Sequence, residues 1–179
     1  DQKLKPQLEK SFPNAKIKIC NSIEILNKSK KIRKFDLILI DNPMSVFGIK
    51  KNSFEYCEHF DVIKNIKKLI GKEAIVIFLV NKKPFFSKKL KKKNILWRKR
   101  RQEFYGSIDT NNMSVQFLTS FYTELFKSLG LMTIFVNSIP RHNPHLDYFV
   151  FLLRKNYKQN NDSLKTVDWI SLYPLLFKK

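Results

Sequence analysis

The chain has 179 residues, 43% apolar and 13% aromatic, which is enough for one packed domain and excludes wholesale disorder. Lys plus Arg total 35 against 15 Asp plus Glu, and the resulting net charge of +20 attracts phosphate backbones and other polyanions. No apolar run approaches the ~18 residues of a membrane span, Asp1-Gln2-Lys3-Leu4-Lys5-Pro6 lacks a signal-peptide core, and Cys20 and Cys57 are too few for a disulfide framework. A basic, globular, cytoplasmic protein is expected. Of its basic residues 29 are Lys and 6 Arg, and Ala occurs only at 15 and 74, a bias that AT-rich coding produces, so part of the charge is background.

Leu4, Leu8 and Phe12 recur every four residues and predict a short helix over Lys3–Phe12, stopped by Pro13-Asn14. Lys16–Cys20 alternates and predicts a strand, and Ser22–Lys30 a short helix with Ile23 and Leu26 inward. Phe35–Ile40 is an almost unbroken apolar run of the kind that suits a central parallel strand covered on both faces. Ser53–Ile70 carries Tyr56, Phe60, Ile63, Ile66 and Ile70 at helical spacing, with Gly71 placed for a left-handed cap. Ala74–Val80 predicts a second buried strand, and 82–112 an irregular or partly helical insertion. Met113–Leu129 predicts a long helix closed by Gly130. Leu131–Val136 and Leu146–Leu153 predict strands joined by a loop too short for a crossover, hence an antiparallel hairpin. Residues 1–155 therefore read as one α/β domain, a mostly parallel sheet with helices on both faces and a C-terminal antiparallel hairpin. Residues 156–179 read as a tail whose apolar segment Val167–Phe177 docks on that domain.

From Asp1 to about Arg154 this order resembles the class I S-adenosylmethionine-dependent methyltransferases, a Rossmann-like, three-layer family. The resemblance rests on Phe35-Asp36-Leu37-Ile38-Leu39-Ile40-Asp41-Asn42-Pro43-Met44, which is similar to the family's fourth strand and its Asp-Pro-Pro-Tyr or Asn-Pro-Pro-Tyr motif. The second proline and the aromatic of that motif are missing here. The family's Gly-rich first loop is also missing, since Gly48, Gly71, Gly106 and Gly130 stand alone. On the family pattern Asp1 falls at the end of the second strand, so the first two strands are expected upstream or in a second subunit. The resemblance implies methyl transfer from S-adenosylmethionine, with Asp1, Asn21 and Ser22 on the cofactor. Asp41, Asn42 and Pro43 would form the catalytic turn that orients the acceptor. Without the resemblance, Asp-Asn-Pro is also ordinary turn chemistry after a strand.

Lys82–Arg101 holds eleven Lys or Arg and no acid, interleaved with Phe85, Phe86 and Trp97. Cations alternating with aromatics suit single-stranded nucleic acid, and a solvated Lys-rich loop is the plainer reading. Half of the arginines fall here, at 98, 100 and 101, and with Tyr105 and Arg141 they complete the expected substrate wall. Glu55 and Glu58 read as helix caps, and the lone His59 as structural or solvated. His142, His145 and Asp147 are expected on a hairpin loop rimming a pocket, with no metal. Three functions stand from this sequence: methyl transfer to a substrate such as nucleic acid, methyl transfer to a small molecule with the charge incidental, or a non-catalytic module of the same fold that binds nucleic acid or a protein partner through the basic segment.

Overall fold

Residues 2–18, 22–28, 32–41, 59–84, 91–106 and 110–155 are described by the computed structural model. They fall in two units, Asp1–Ile32 and Arg33–Lys179. In the first, a 3-10 turn at Gln2–Leu4 leads into α1 (Lys5–Ser11), which carries a proline in its first turn. The helix ends where Phe12 N–H returns to Leu8 O at 2.8 Å, just before Pro13. α2 (Ser22–Lys28) buries Ile23 and Leu26, as their spacing requires. The strand expected over 16–20 is not formed at 16–18, which have no regular structure. Alternation alone does not hold a strand when no neighbouring strand takes up its backbone groups.

The second unit is built on one sheet. β1 (Phe35–Ile40), α3 (Phe60–Lys64), β2 (Ile70–Asn81), α4 (Lys91–Tyr105), α5 (Val115–Ser128), β3 (Leu131–Pro140) and β4 (Leu146–Lys155) follow in order. The sheet order is β1-β2-β4-β3. β1 runs parallel to β2, and β4 runs antiparallel to both β2 and β3. Three strands therefore point one way, with β4 reversed between the second and third. The architecture is α/β with a mixed four-stranded sheet.

α3 ends earlier than its spacing predicts, and residues 53–58 of the expected helix lie outside the described residues. The helix stops at Lys64, a 3-10 turn spans Ile66–Lys68, and β2 begins at Ile70 with Gly71 inside the strand. Phe60, Ile63, Ile66 and Ile70 are nevertheless all buried, because turn and helix share the same inward face. Gly71 is no cap, since Ile70 is already paired with Phe35 of β1. Gly130 does close α5, at φ 71°, a conformation open to glycine without a Cβ penalty. At the other end of α5, Ser114 Oγ accepts from Phe117 N–H at 3.0 Å.

One face of the sheet carries the core. Ile38, Val76, Phe78, Phe149, Phe151 and Leu153 meet Phe60 and Ile63 of α3, Phe104 and Tyr105 of α4, and Leu118, Phe121, Tyr122 and Phe126 of α5. Phe78 lies at its centre, with ring centroids 4.7 Å from Tyr122 and 5.7 Å from Phe151. On the opposite face, register aligns Leu37, Ile75, Leu152 and Phe135 in one row across all four strands. Leu37, Ile75 and Phe135 of that row are exposed. The described helices of this unit thus form a single layer.

Candidate functional site

The parallel strands β1, β2 and β3 end at one edge, where β4 begins. Chain direction alone brings Asp41, Asn81 and Pro140-Arg141 together there, because Asp147 pairs with both Val80 and Pro140. Such an edge is where open α/β sheets bind ligands. Asp41 follows β1 directly and is exposed. A carboxylate so placed can accept a hydrogen bond from an approaching amine or hydroxyl.

Behind the edge lies a buried polar corner that locks it. Asp147, 2% exposed, pairs with Lys82 Nζ at 2.8 Å. Lys82 N–H donates to His145 O at 2.8 Å, and Met113 N–H donates to Lys82 O at 3.0 Å. Asn81 Oδ1 accepts from Lys83 N–H at 3.1 Å. The side chain of Arg101, fully buried, reaches the same corner from α4. Its Nη2 donates to Asn81 O at 2.8 Å and to Thr110 O at 3.1 Å. Its guanidinium also lies 5.3 Å from the Tyr105 ring centroid and 5.9 Å from that of Trp97.

A second buried chain continues inward. Tyr105 and Tyr122 share a hydroxyl–hydroxyl hydrogen bond of 2.8 Å, and the Tyr122 hydroxyl is hydrogen-bonded to His59 Nε2. His59 sits just before α3, fully buried against Phe60 and Phe78. Burial, aided by the Arg101 charge, pushes its imidazole from 6.5 down to about 3, against a smaller opposing pull from the Leu79 backbone. His59 is structural, as a lone histidine among apolar neighbours usually is. The sign of its linkage follows. Below pH 6.5 the unfolded chain takes up a proton at this residue, and the folded chain refuses it until about pH 3. Its contribution to stability is complete above pH 6.5 and falls as pH drops through that window, by at most about 1.4 kcal/mol per pH unit. Urea melts between pH 6.5 and 4 should therefore show a shallower loss for His59→Gln than for wild type. Equal slopes would assign the acid sensitivity to other groups.

The expected substrate wall is divided by this geometry. Arg98 is exposed on α4. Arg100 is tied to α3, its Nη2 2.7 Å and 2.8 Å from the two carboxylate oxygens of Asp61. Arg101 and Tyr105 face the interior, and Trp97 is 7% exposed. A helix places residues 97, 101, 104 and 105 on one face, and here that face is the core side. Arg141 is exposed, with its guanidinium 5.2 Å from the Tyr148 ring centroid. Phe85, Phe86, Asn42, Pro43, Asp1 and Asn21 lie outside the described residues, as do Cys20, Cys57, Glu55 and Glu58, and Ser22 opens α2. His142 and His145 are exposed on the β3–β4 turn, whereas Asp147 belongs to β4 and points inward. Among the described residues no three His, Cys, Asp or Glu side chains are grouped to hold a metal ion, and no helix is long and apolar enough to cross a membrane.

Asn81, Thr110 and Tyr122 were not singled out by sequence pattern, and Lys82 only as the first cation of the basic segment. The available signal was Asp147, a carboxylate at the parity of Phe149, Phe151 and Leu153. An acid on the inward side of an apolar strand requires a buried partner.

S-adenosylmethionine binding needs a glycine turn that brings backbone N–H groups against the cofactor. Gly71 lies within β2, and the positive-φ glycines, Gly106 and Gly130, each follow a helix end. Gly48 lies outside the described residues. No protein-family model matches the chain, and no curated protein matches it.

Proposed function

We propose that this chain carries the acceptor-side half of a Rossmann-like, three-layer methyltransferase domain. The supporting observation is the strand arrangement. Three strands run parallel, β4 is reversed between β2 and β3, and the Phe35–Ile40 run delivers Asp41 to the edge where the parallel strands end. Asp41 would accept a hydrogen bond from the N–H or O–H of the acceptor and so aim its lone pair, with Asn42 as a second acceptor and Pro43 stiffening the turn. Lys82–Asp147 and Arg101 hold the neighbouring strand end so that Asp41 works against a fixed edge.

The bare row of Leu37, Ile75 and Phe135 supports a further layer over that face. A parallel strand that is apolar on both sides is normally covered on both. In this reading the layer and the glycine turn come from an upstream segment or a second subunit, which completes a cytoplasmic enzyme.

Titration calorimetry of S-adenosylmethionine into the 179-residue chain tests the division of labour. Affinity weaker than ~10 µM, about −7 kcal/mol, is expected. Tighter binding would show that these residues hold the cofactor unaided, and the half-domain reading would fall.

A second reading, a binding module without catalysis, is favoured by Arg98 and Lys99 of the basic segment, which lie on the exposed side of α4. It differs in one observable: its Asp41→Ala variant would bind its partner like wild type, with no transfer to lose.

A further inference from the structure

The opposite edge of the sheet, where β1 and β2 start and β4 ends, gathers lysines from separate parts of the chain. Lys34 immediately precedes β1, and a methyl group on Gly71 of β2 would lie 3.6 Å from its Cβ. Its Nζ donates to Lys68 O at 2.6 Å, which anchors it over the 3-10 turn that also carries Lys67. Lys155 ends β4, and the pairing of Glu73 with Arg154 brings Lys72 beside it. The one acid along this stretch of β2, Glu73, is taken by Arg154, with Oε2 3.0 Å from both Nε and Nη2. The Lys155 ammonium is held below the usual lysine range by partial burial and then by the charges of Lys34 and Lys67. The cations are thus close enough to destabilise one another.

Lys34, Lys67 and Lys155 thus form a cationic cluster at this edge, drawn from the start of β1, the 3-10 turn and the end of β4. Phe35, exposed and next in sequence to Lys34, adds an accessible aromatic ring of the kind on which a base stacks, which suits a single-stranded nucleic acid. Coding bias can supply lysines in number, but it does not gather them from three parts of the chain at a cost in repulsion.

We propose that the Lys34–Lys67–Lys155 cluster is a binding track for the phosphate backbone of a single-stranded nucleic acid. The track is separate from the edge bearing Asp41 and does not depend on methyl transfer. Each phosphate neutralised on a single strand contributes about 0.7 to the slope of log affinity against log salt.

The test is a salt titration of a fluorescent single-stranded 20-mer against the 179-residue chain and its variants. Lys34→Gln, Lys67→Gln and Lys155→Gln combined should lower the slope by about 2 and weaken binding roughly 30- to 100-fold at 0.1 M salt. Lys10→Gln with Lys16→Gln, two exposed lysines of the first unit, should leave the slope within about 0.7 of its starting value. The triple Lys→Arg variant, which keeps the charges, should bind like wild type, and this comparison holds even if the Gln variant melts early. An unchanged slope in the Gln variant would overturn the proposal. So would equal loss in the Arg variant, or lysine-dependent binding to phosphatidylserine vesicles without binding to the 20-mer.

Discussion

Arg101→Ala is expected to destabilise the fold by about 3–5 kcal/mol, whereas Arg98→Ala, three residues earlier on the same helix, stays within about 0.5 kcal/mol. Arg101 is fully buried, and its Nη2 serves the carbonyls of Asn81 and Thr110 at 2.8 and 3.1 Å. Hydrogen bonds to a charged group contribute about 1.5–3 kcal/mol each, and truncation leaves both carbonyls buried beside the hole. The damage should extend to the edge itself, because Asn81 ends β2 and Lys82 accepts the Met113 N–H. Arg101→Lys should recover only part of the loss, since an ammonium lacks the flat guanidinium that packs against the Trp97 and Tyr105 rings. Urea denaturation of the three variants gives the result directly. An Arg101→Ala midpoint close to that of Arg98→Ala would mean that the corner does not depend on the guanidinium.

This contrast marks what the sequence could and could not convey. Four consecutive basic residues, Arg98-Lys99-Arg100-Arg101, are indistinguishable as composition, yet the helix sends them to different environments. Arg98 and Lys99 lie on the exposed side, with Lys99 4.0 Å from Glu103, Arg100 meets Asp61 across a gap of 39 residues, and Arg101 enters the core. A charge run reports that a segment is basic and not which of its cations are inward. The apolar partners Trp97, Phe104 and Tyr105 at helical spacing were the sign that this face of α4 is buried, with Arg101 upon it.

The strands were more legible than the helices. Phe35–Ile40 forms a strand over the range its apolar run implied, but it lies at the end of the described sheet with only Ile38 buried, not in the centre and covered on both faces as expected. The antiparallel pairing of β3 with β4 followed from the short loop between them. β2 reaches four residues before Ala74, because Ile70 pairs with Phe35 and Glu73 is held by Arg154. The local pattern around Gly71 resembled a helix end, and pairing with two other strands overrode it. Nothing local in the sequence reveals that β4 enters between β2 and β3, since both partners are non-local. The lysine cluster at the far edge was hidden for the same reason, since positions 34, 67 and 155 are brought together only when the sheet forms.

The edge that carries Asp41 was legible from one strand and its turn, and its chemical role is the central proposal. Asp41 is exposed at a strand end, so Asp41→Ala removes little packing and should leave the melting temperature nearly unchanged. Loss of a group that positions or deprotonates an acceptor typically costs 10²–10⁴ in rate. The decisive measurement is transfer of a labelled methyl group from S-adenosylmethionine to nucleic acid by the protein isolated from its source cells with whatever it carries. Transfer by wild type and a loss of at least about 100-fold in Asp41→Ala, at equal thermal stability, is the expected result. No transfer by wild type, or equal transfer by the Asp41→Ala variant, would contradict the account.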